Sequence, residues 1–271
     1  WTPPAGTMYS KNVWAPEIHY INNTWYVYVA ADNGTNENHR MYVLQNTSAN
    51  PLNDQWEFKG KLAAPSDKWA IDGNVFEYNN QLYMAWSGWE GDTNGQQDIF
   101  IAKMSDPTSI SGKRVKISSP TYPWERNGDL GTDGNPEQVF VNEGPQFLEH
   151  DGKLFIVFSA SGCWTDFYAL GLLSLAGTDP MDASAWTKKE EPIFQQTPEN
   201  GVYAPGHNSF FKSPDGTEDW ILYHANSNPG EGCGNKRAPR MQRLYWNEDG
   251  TPFIGTPLPT TVLLPIPSEK F

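Results

Sequence analysis

Cysteine is almost missing from this chain. Cys163 and Cys233 are its only two, so neither a disulfide-framed mini-domain nor a cysteine-rich metal centre can organise its 271 residues. The two fall at corresponding places in loops, which leaves a bridge or a pair of buried thiols open. Positive charge is scarce as well: 19 Lys and Arg face 32 Asp and Glu, a net charge of −13. A nucleic-acid partner would need a basic face, so the charge argues against one. No apolar run approaches the roughly 18 residues of a membrane-crossing helix, and no membrane partner is expected. Helical periodicity is lacking. So are the Gly-x-Ser-x-Gly elbow, the His-Glu-x-x-His pair and a basic groove, which argues against a peptidase or a nuclease. No Pro- or Ser-rich linker and no charge run divides the chain, which predicts a single domain over 1–271. No signal peptide is visible at Trp1, while Asn-x-Ser/Thr triplets at Asn22, Asn33 and Asn46 fit a secreted, extracellular protein.

What the chain does have is a cassette repeated four times: a polar lead-in, a strand, a tight polar turn and a second aromatic strand. The copies read PEIHYINNTWYVYVA from Pro16, GNVFEYNNQLYMAWS from Gly73, PQFLEHDGKLFIVFS from Pro145 and NSFFKSPDGTEDWILYH from Asn208. A third strand follows each copy: HRMYVLQ, QDIFIAKMS, YALGLLSL and RMQRLYW. Large apolar residues alternate with small or polar ones, as half-buried antiparallel strands require. From Glu17 to Asp72 is 55 residues, from Asp72 to Glu143 is 71 and from Glu143 to His207 is 64. Strand-dominated repeats at that spacing predict an all-β protein built as blades of a β-propeller, four of which are legible.

The scaffold is constant, but the residue that leads each copy changes from Glu17 to Asp72, Glu143 and His207. In a propeller the lead-ins and the long loops between second and third strands share one face. Asp72, Glu143 and His207 are therefore expected to converge near a central channel. Glycosidic hydrolysis needs one protonated carboxyl for the leaving oxygen and one carboxylate for the attacking water or the carbon. Asp72-Gly73 and Glu143-Gly144 suit that task, because glycine lets the chain bend and a ligand approach. The plainer alternative is a pair of turn carboxylates capping backbone N–H groups.

WAPEIHY, AIDGNVFEYNNQLYMAWSGW, NEGPQFLEHDGKLFIVFSASG and GHNSFFKSPDGTEDWILYHA, in this order, resemble glycoside hydrolase family 43. The likeness is strongest to its α-L-arabinofuranosidase branch and runs over essentially the whole chain. It implies a five-bladed propeller, inverting hydrolysis, no required cofactor and a substrate among arabinose-containing plant polysaccharides or oligosaccharides such as arabinan or arabinoxylan. By motif, Glu143 resembles the general acid and Asp72 the aspartate that raises its pKa. Trp14 and Glu17 resemble pocket-wall residues. His207 resembles a channel histidine that touches substrate or, through waters, holds a calcium ion. Arg237 resembles the arginine of the sugar pocket, with Arg240 as runner-up, and Trp89 is a candidate stacking platform. The family's general base, an aspartate of the first blade, has no counterpart in this chain, and that blade is apparently missing. The expectation is then a truncated polypeptide, a second chain or segment supplying the blade, or closure with four. Alternatives are a carbohydrate-binding propeller without turnover, and a β-xylosidase, endo-arabinanase or galactofuranosidase of the same family.

Overall fold

Pairs of small polar residues set the hairpins. In a computed structural model that describes residues 1–53, 55–128 and 138–269, Asn22-Asn23, Asn79-Asn80 and Asp151-Gly152 all have positive φ, between 48° and 72°. Two left-handed residues in a row make the tight turn whose twist matches that of the flanking strands. Around these turns the chain lays down four runs of antiparallel strands, one for each cassette. The first is β1 (Lys11–Ile21), β2 (Thr24–Asp32), β3 (Arg40–Asn46) and β4 (Glu57–Leu62), paired in chain order. The second is β5 (Ala70–Tyr78), β6 (Gln81–Gly88), β7 (Gln96–Asp106) and β8 (Ser109–Ser118). The third is β9 (Phe140–His150), β10 (Lys153–Ala160), β11 (Ala169–Leu175) and β12 (Trp186–Lys188). The fourth is β13 (Tyr203–Lys212), β14 (Asp219–Asn226), β15 (Ala238–Trp246) and β16 (Pro252–Phe253). The all-β expectation holds, and the three strands read in each cassette are present. Each run also carries a fourth, outer strand.

The chain forms two compact units. One comprises Trp1–Ser118, Glu143–Pro145 and Asp179–Ser184; the other comprises Ser119–Asn142, Gln146–Thr178 and Ala185–Phe271. The first is filled by Tyr28, Met41, Trp69, Trp86, Trp89 and Phe100 among others, the second by Phe155, Val157, Leu170, Phe194, Ile221 and Tyr223. In the second unit Cys163 and Cys233 are bridged, with Cα atoms 5.3 Å apart at a sequence separation of 70. In the chain-entropy account, closing a loop of that length stabilises by roughly 4 kcal/mol.

The leading strands are not regular, and their irregularity positions the site. In β1, Trp14 opposes Ala30 and Glu17 opposes Tyr28, so three steps on one strand meet two on the other. The same extra residue appears in β5 between Ile71 and Asn74, and in β13 between Gly206 and Ser209. A bulge of this kind bends the strand and re-aims a side chain. The residue just inside each bulge is left-handed: Ala15 at φ 42°, Asp72 at 56° and His207 at 43°, with Gly144 at 54° in β9. For the three that are not glycine the conformation costs on the order of 1–3 kcal/mol each. That strain is concentrated where the sequence places its candidate chemistry.

Glycine beside the bulges answers to packing. A Cβ on Gly206 would run into the ring of Tyr168, which is completely buried. A Cβ on Gly73 would meet the flexible ends of Met84 and Met41. Gly206→Ala is therefore expected to lower stability by about 1–3 kcal/mol, and Gly73→Ala by less, in urea unfolding of the two variants.

Candidate active site

Asp72 and Glu143 belong to the same compact unit and come together in it. A carboxylate oxygen of one lies within 4.8 Å of a carboxylate oxygen of the other. Both are buried, Asp72 at 3% exposure and Glu143 at 9%. The backbone N–H of Gly144 donates to Asp72 Oδ2 at 3.1 Å, so the residue after Glu143 fixes the orientation of its carboxylate neighbour. The bulge in β5 is what turns Asp72 towards that N–H. The carboxylate spacing is short for a pair that must hold a water between them, since inverting acid–base pairs stand about 6.5–9.5 Å apart.

Along the neighbouring strand, Glu17 accepts a hydrogen bond from Asn74 Nδ2 at 2.9 Å and pairs with His19 Nε2 at 3.0 Å. The bulges of β1 and β5 therefore present Glu17 and Asn74 to each other. Trp14 is 42% exposed and lies with its ring 4.0 Å from that of His39, tilted by 25°. His39 is completely buried. Its Nδ1 is 3.0 Å from Asp32 Oδ2, and its Nε2 is 3.1 Å from the carbonyl of Asn12. Both ring nitrogens thus face acceptors, which favours the charged form. Burial acts the other way and is the larger effect, so the imidazole pKa is lowered, with Asp32 restoring part of the loss.

Trp89 corrects the sequence reading. It is 1% exposed and stacks flat on Trp69, ring centres 4.7 Å apart and 7° between planes. A ring enclosed in the core offers no face to a sugar, so Trp89 is a packing residue rather than the expected stacking platform. Trp14 is the candidate aromatic that keeps an open surface.

The second unit holds the remaining candidates. His207 sits in the bulge of β13, its backbone N–H donating to Ser159 Oγ at 2.8 Å. The side chain of the next residue, Asn208, is buried, and neither of its polar atoms has a hydrogen-bond partner among the described residues. Arg237 Nη1 donates to His224 Nε2 at 3.2 Å. Arg240 instead binds the carbonyls of Gly201 and Asn226 and the hydroxyl of Ser227. Of the two arginines, Arg240 is committed to holding backbone, and Arg237 is the one placed by another ionisable side chain.

His224 went unread in the sequence, where it is one more residue of an alternating strand. It stacks on Tyr168, 5.7 Å between centres and 2° between planes. Burial, then the Arg237 charge, then His207 push its pKa down to about 3. The unfolded chain, with an ordinary histidine near 6.5, takes up this proton first as pH falls. Stability is then unaffected above about pH 6.5 and declines by roughly 1.4 kcal/mol per pH unit below it, as far as the folded pKa. His224→Gln is expected to remove that slope between pH 6 and 4, read from urea midpoints.

Glu125 also escaped the sequence reading. It is completely buried, pairs with Lys188 Nζ at 2.8 Å, and accepts from the N–H groups of Thr121 and Tyr122. It further accepts from Asn142 Nδ2 at 3.0 Å, and so anchors the residue immediately ahead of Glu143. Among the described residues no helix is long and apolar enough to cross a membrane.

Comparison with known proteins bears on what this arrangement belongs to. The family model described as glycosyl hydrolases family 43 matches residues 1–252. An extracellular exo-α-(1→5)-L-arabinofuranosidase of Streptomyces avermitilis is 39% identical over 265 residues, covering 95% of this chain and 53% of that protein. The α-L-arabinofuranosidase 43 of Humicola insolens is 36% identical over 268 residues, covering 96% and 53%. The chain spans about half the length of these curated relatives. A crystal structure of α-L-arabinofuranosidase from Lactobacillus brevis superposes with a TM-score of 0.85 at 33% identity, covering 97% of this chain and 82% of that one. The chain belongs to glycosyl hydrolases family 43.

Proposed function

We propose that the protein is a secreted, inverting α-L-arabinofuranosidase that releases terminal arabinofuranosyl residues from arabinan or arabinoxylan. The observation that carries this reading is the buried Asp72–Glu143 pair, with Gly144 N–H bound to Asp72. The arabinofuranosidase names of the relatives, one of them extracellular, support the substrate class and the compartment.

In this mechanism Glu143 is the general acid. Asp72, whose carboxylate accepts from the Gly144 N–H, serves as the neighbouring charge that keeps the Glu143 proton in place. As the glycosidic C–O bond breaks, Glu143 gives that proton to the leaving oxygen. Water adds to the anomeric carbon from the opposite face, losing its proton to a base, and the product is inverted. Neither member of the pair serves as base in this mechanism. Trp14 and Glu17 form a wall of the sugar site. A calcium ion, where bound, would be held by His207 through waters and would supply a fixed positive charge.

The test is the full-length protein with α-1,5-linked arabino-oligosaccharides and 4-nitrophenyl glycosides. Release of arabinose from both arabinosides, with xylosides and galactofuranosides untouched, is the expected result. Release of xylose in preference to arabinose would overturn the substrate assignment.

A further inference from the structure

His39 takes no part in the proton transfers described above, yet it is tightly determined. Its ring is completely buried, one nitrogen on the Asp32 carboxylate and the other on the carbonyl of Asn12. Asp32 is itself buried and held in turn: both of its oxygens accept from Asn12 Nδ2 at 3.0 Å, and Oδ1 accepts from the N–H of Gly34 at 2.7 Å. Trp69 closes the far side, edge-on to His39, with its indole N–H on the carbonyl of Asn36. Asn12 is left-handed at φ 45°, inside the first bulge of β1, two residues before Trp14. Against this fixed ring lies one face of Trp14, while 42% of that residue is open.

We propose that the Asp32–His39 pair is a positioning device that holds Trp14 as a rigid, one-faced platform for a sugar ring of the substrate. The proposal rests on the reading that Trp14 lines the sugar site. An indole face suits the apolar C–H face of a furanose. A platform fixed before binding spares the cost of ordering it during binding, a difference worth about twofold to tenfold in affinity for one large side chain. The pair touches neither the substrate nor Glu143 in this account, so its influence runs through Trp14.

A double-mutant cycle on the full-length enzyme tests this, reading KM and kcat on an arabino-oligosaccharide and its Kd by calorimetry. His39→Gln, which loses the stacking ring, is expected to raise KM and Kd about threefold to tenfold while kcat stays within about twofold. Trp14→Ala raises them at least as much. Behind Trp14→Ala, His39→Gln changes them by less than about 1.5-fold, the mark of residues acting as one unit. The same multiplication of KM in both backgrounds, or a loss in kcat at constant KM, would overturn the proposal. Should His39→Gln not fold, Asp32→Asn carries the cycle, with a smaller rise of about twofold to threefold that again vanishes behind Trp14→Ala. Binding without turnover by the wild type would refute the hydrolase reading while leaving the cycle readable in Kd. No binding at all would end both.

Discussion

Glu143→Gln in the full-length protein is expected to lower kcat on an arabino-oligosaccharide by about 10²–10⁴-fold, with KM little changed. Glutamine keeps the size and shape of the side chain at this 9% exposed position, but it has no proton to transfer. The loss should depend on the leaving group. An alcohol leaving from a sugar needs its oxygen protonated as the bond breaks, whereas a nitrophenolate departs with little help. On 4-nitrophenyl arabinofuranoside the loss is therefore expected to be at least about tenfold smaller. An equal loss on both substrates would mean that Glu143 holds the site in shape without delivering a proton.

Asp72→Asn is the second large effect, and its signature is a pH profile. Asparagine tolerates the left-handed backbone that position 72 adopts at φ 56°. Its side-chain oxygen can still accept from the Gly144 N–H that Asp72 holds at 3.1 Å. Fold and geometry should thus survive while the negative charge goes. In the proposed mechanism that anion is what keeps the proton on Glu143, so the variant acid should lose it at lower pH. The alkaline limb of kcat/KM moves to lower pH, and activity at pH 7 drops by roughly 10²-fold or more. A drop in rate with the limb unmoved would assign Asp72 to a different task.

The parts of this structure that were legible in the sequence are those written in short range. Asn79-Asn80 between two alternating strands specifies a hairpin without outside help, and the leading acids of the second and third cassettes stand out because their scaffold repeats. The outer strands of the third and fourth runs were not legible for the converse reason. Trp186–Lys188 and Pro252–Phe253 span three and two residues, too short to show alternation, and are strands only because β11 and β15 offer them an edge.

Side-chain direction was the other thing the sequence withheld. Trp89 follows a loop-like Ser-Gly and reads as exposed, but its ring is claimed by Trp69, twenty positions earlier. His39 and His224 are marked as special by partners at a distance, Asp32 with Asn12 in one case and Arg237 in the other. The same holds for Glu125, whose link to Asn142 crosses 17 positions. The Cys163–Cys233 bridge was open on sequence grounds because only the fold brings residues 70 apart to a Cα separation of 5.3 Å.

The central claim is that Glu143 delivers a proton while Asp72, within 4.8 Å of it, remains a charge and never bonds to the sugar. Carboxyl pairs about 5–5.5 Å apart are also the signature of retaining glycosidases, in which the second carboxylate attacks carbon, so stereochemistry separates the two possibilities. Proton NMR of the first arabinose released from an α-L-arabinofuranoside reads it directly. The account predicts the β anomer, equilibrating only afterwards. An initial α anomer would make Asp72 the nucleophile and contradict the roles assigned to the pair.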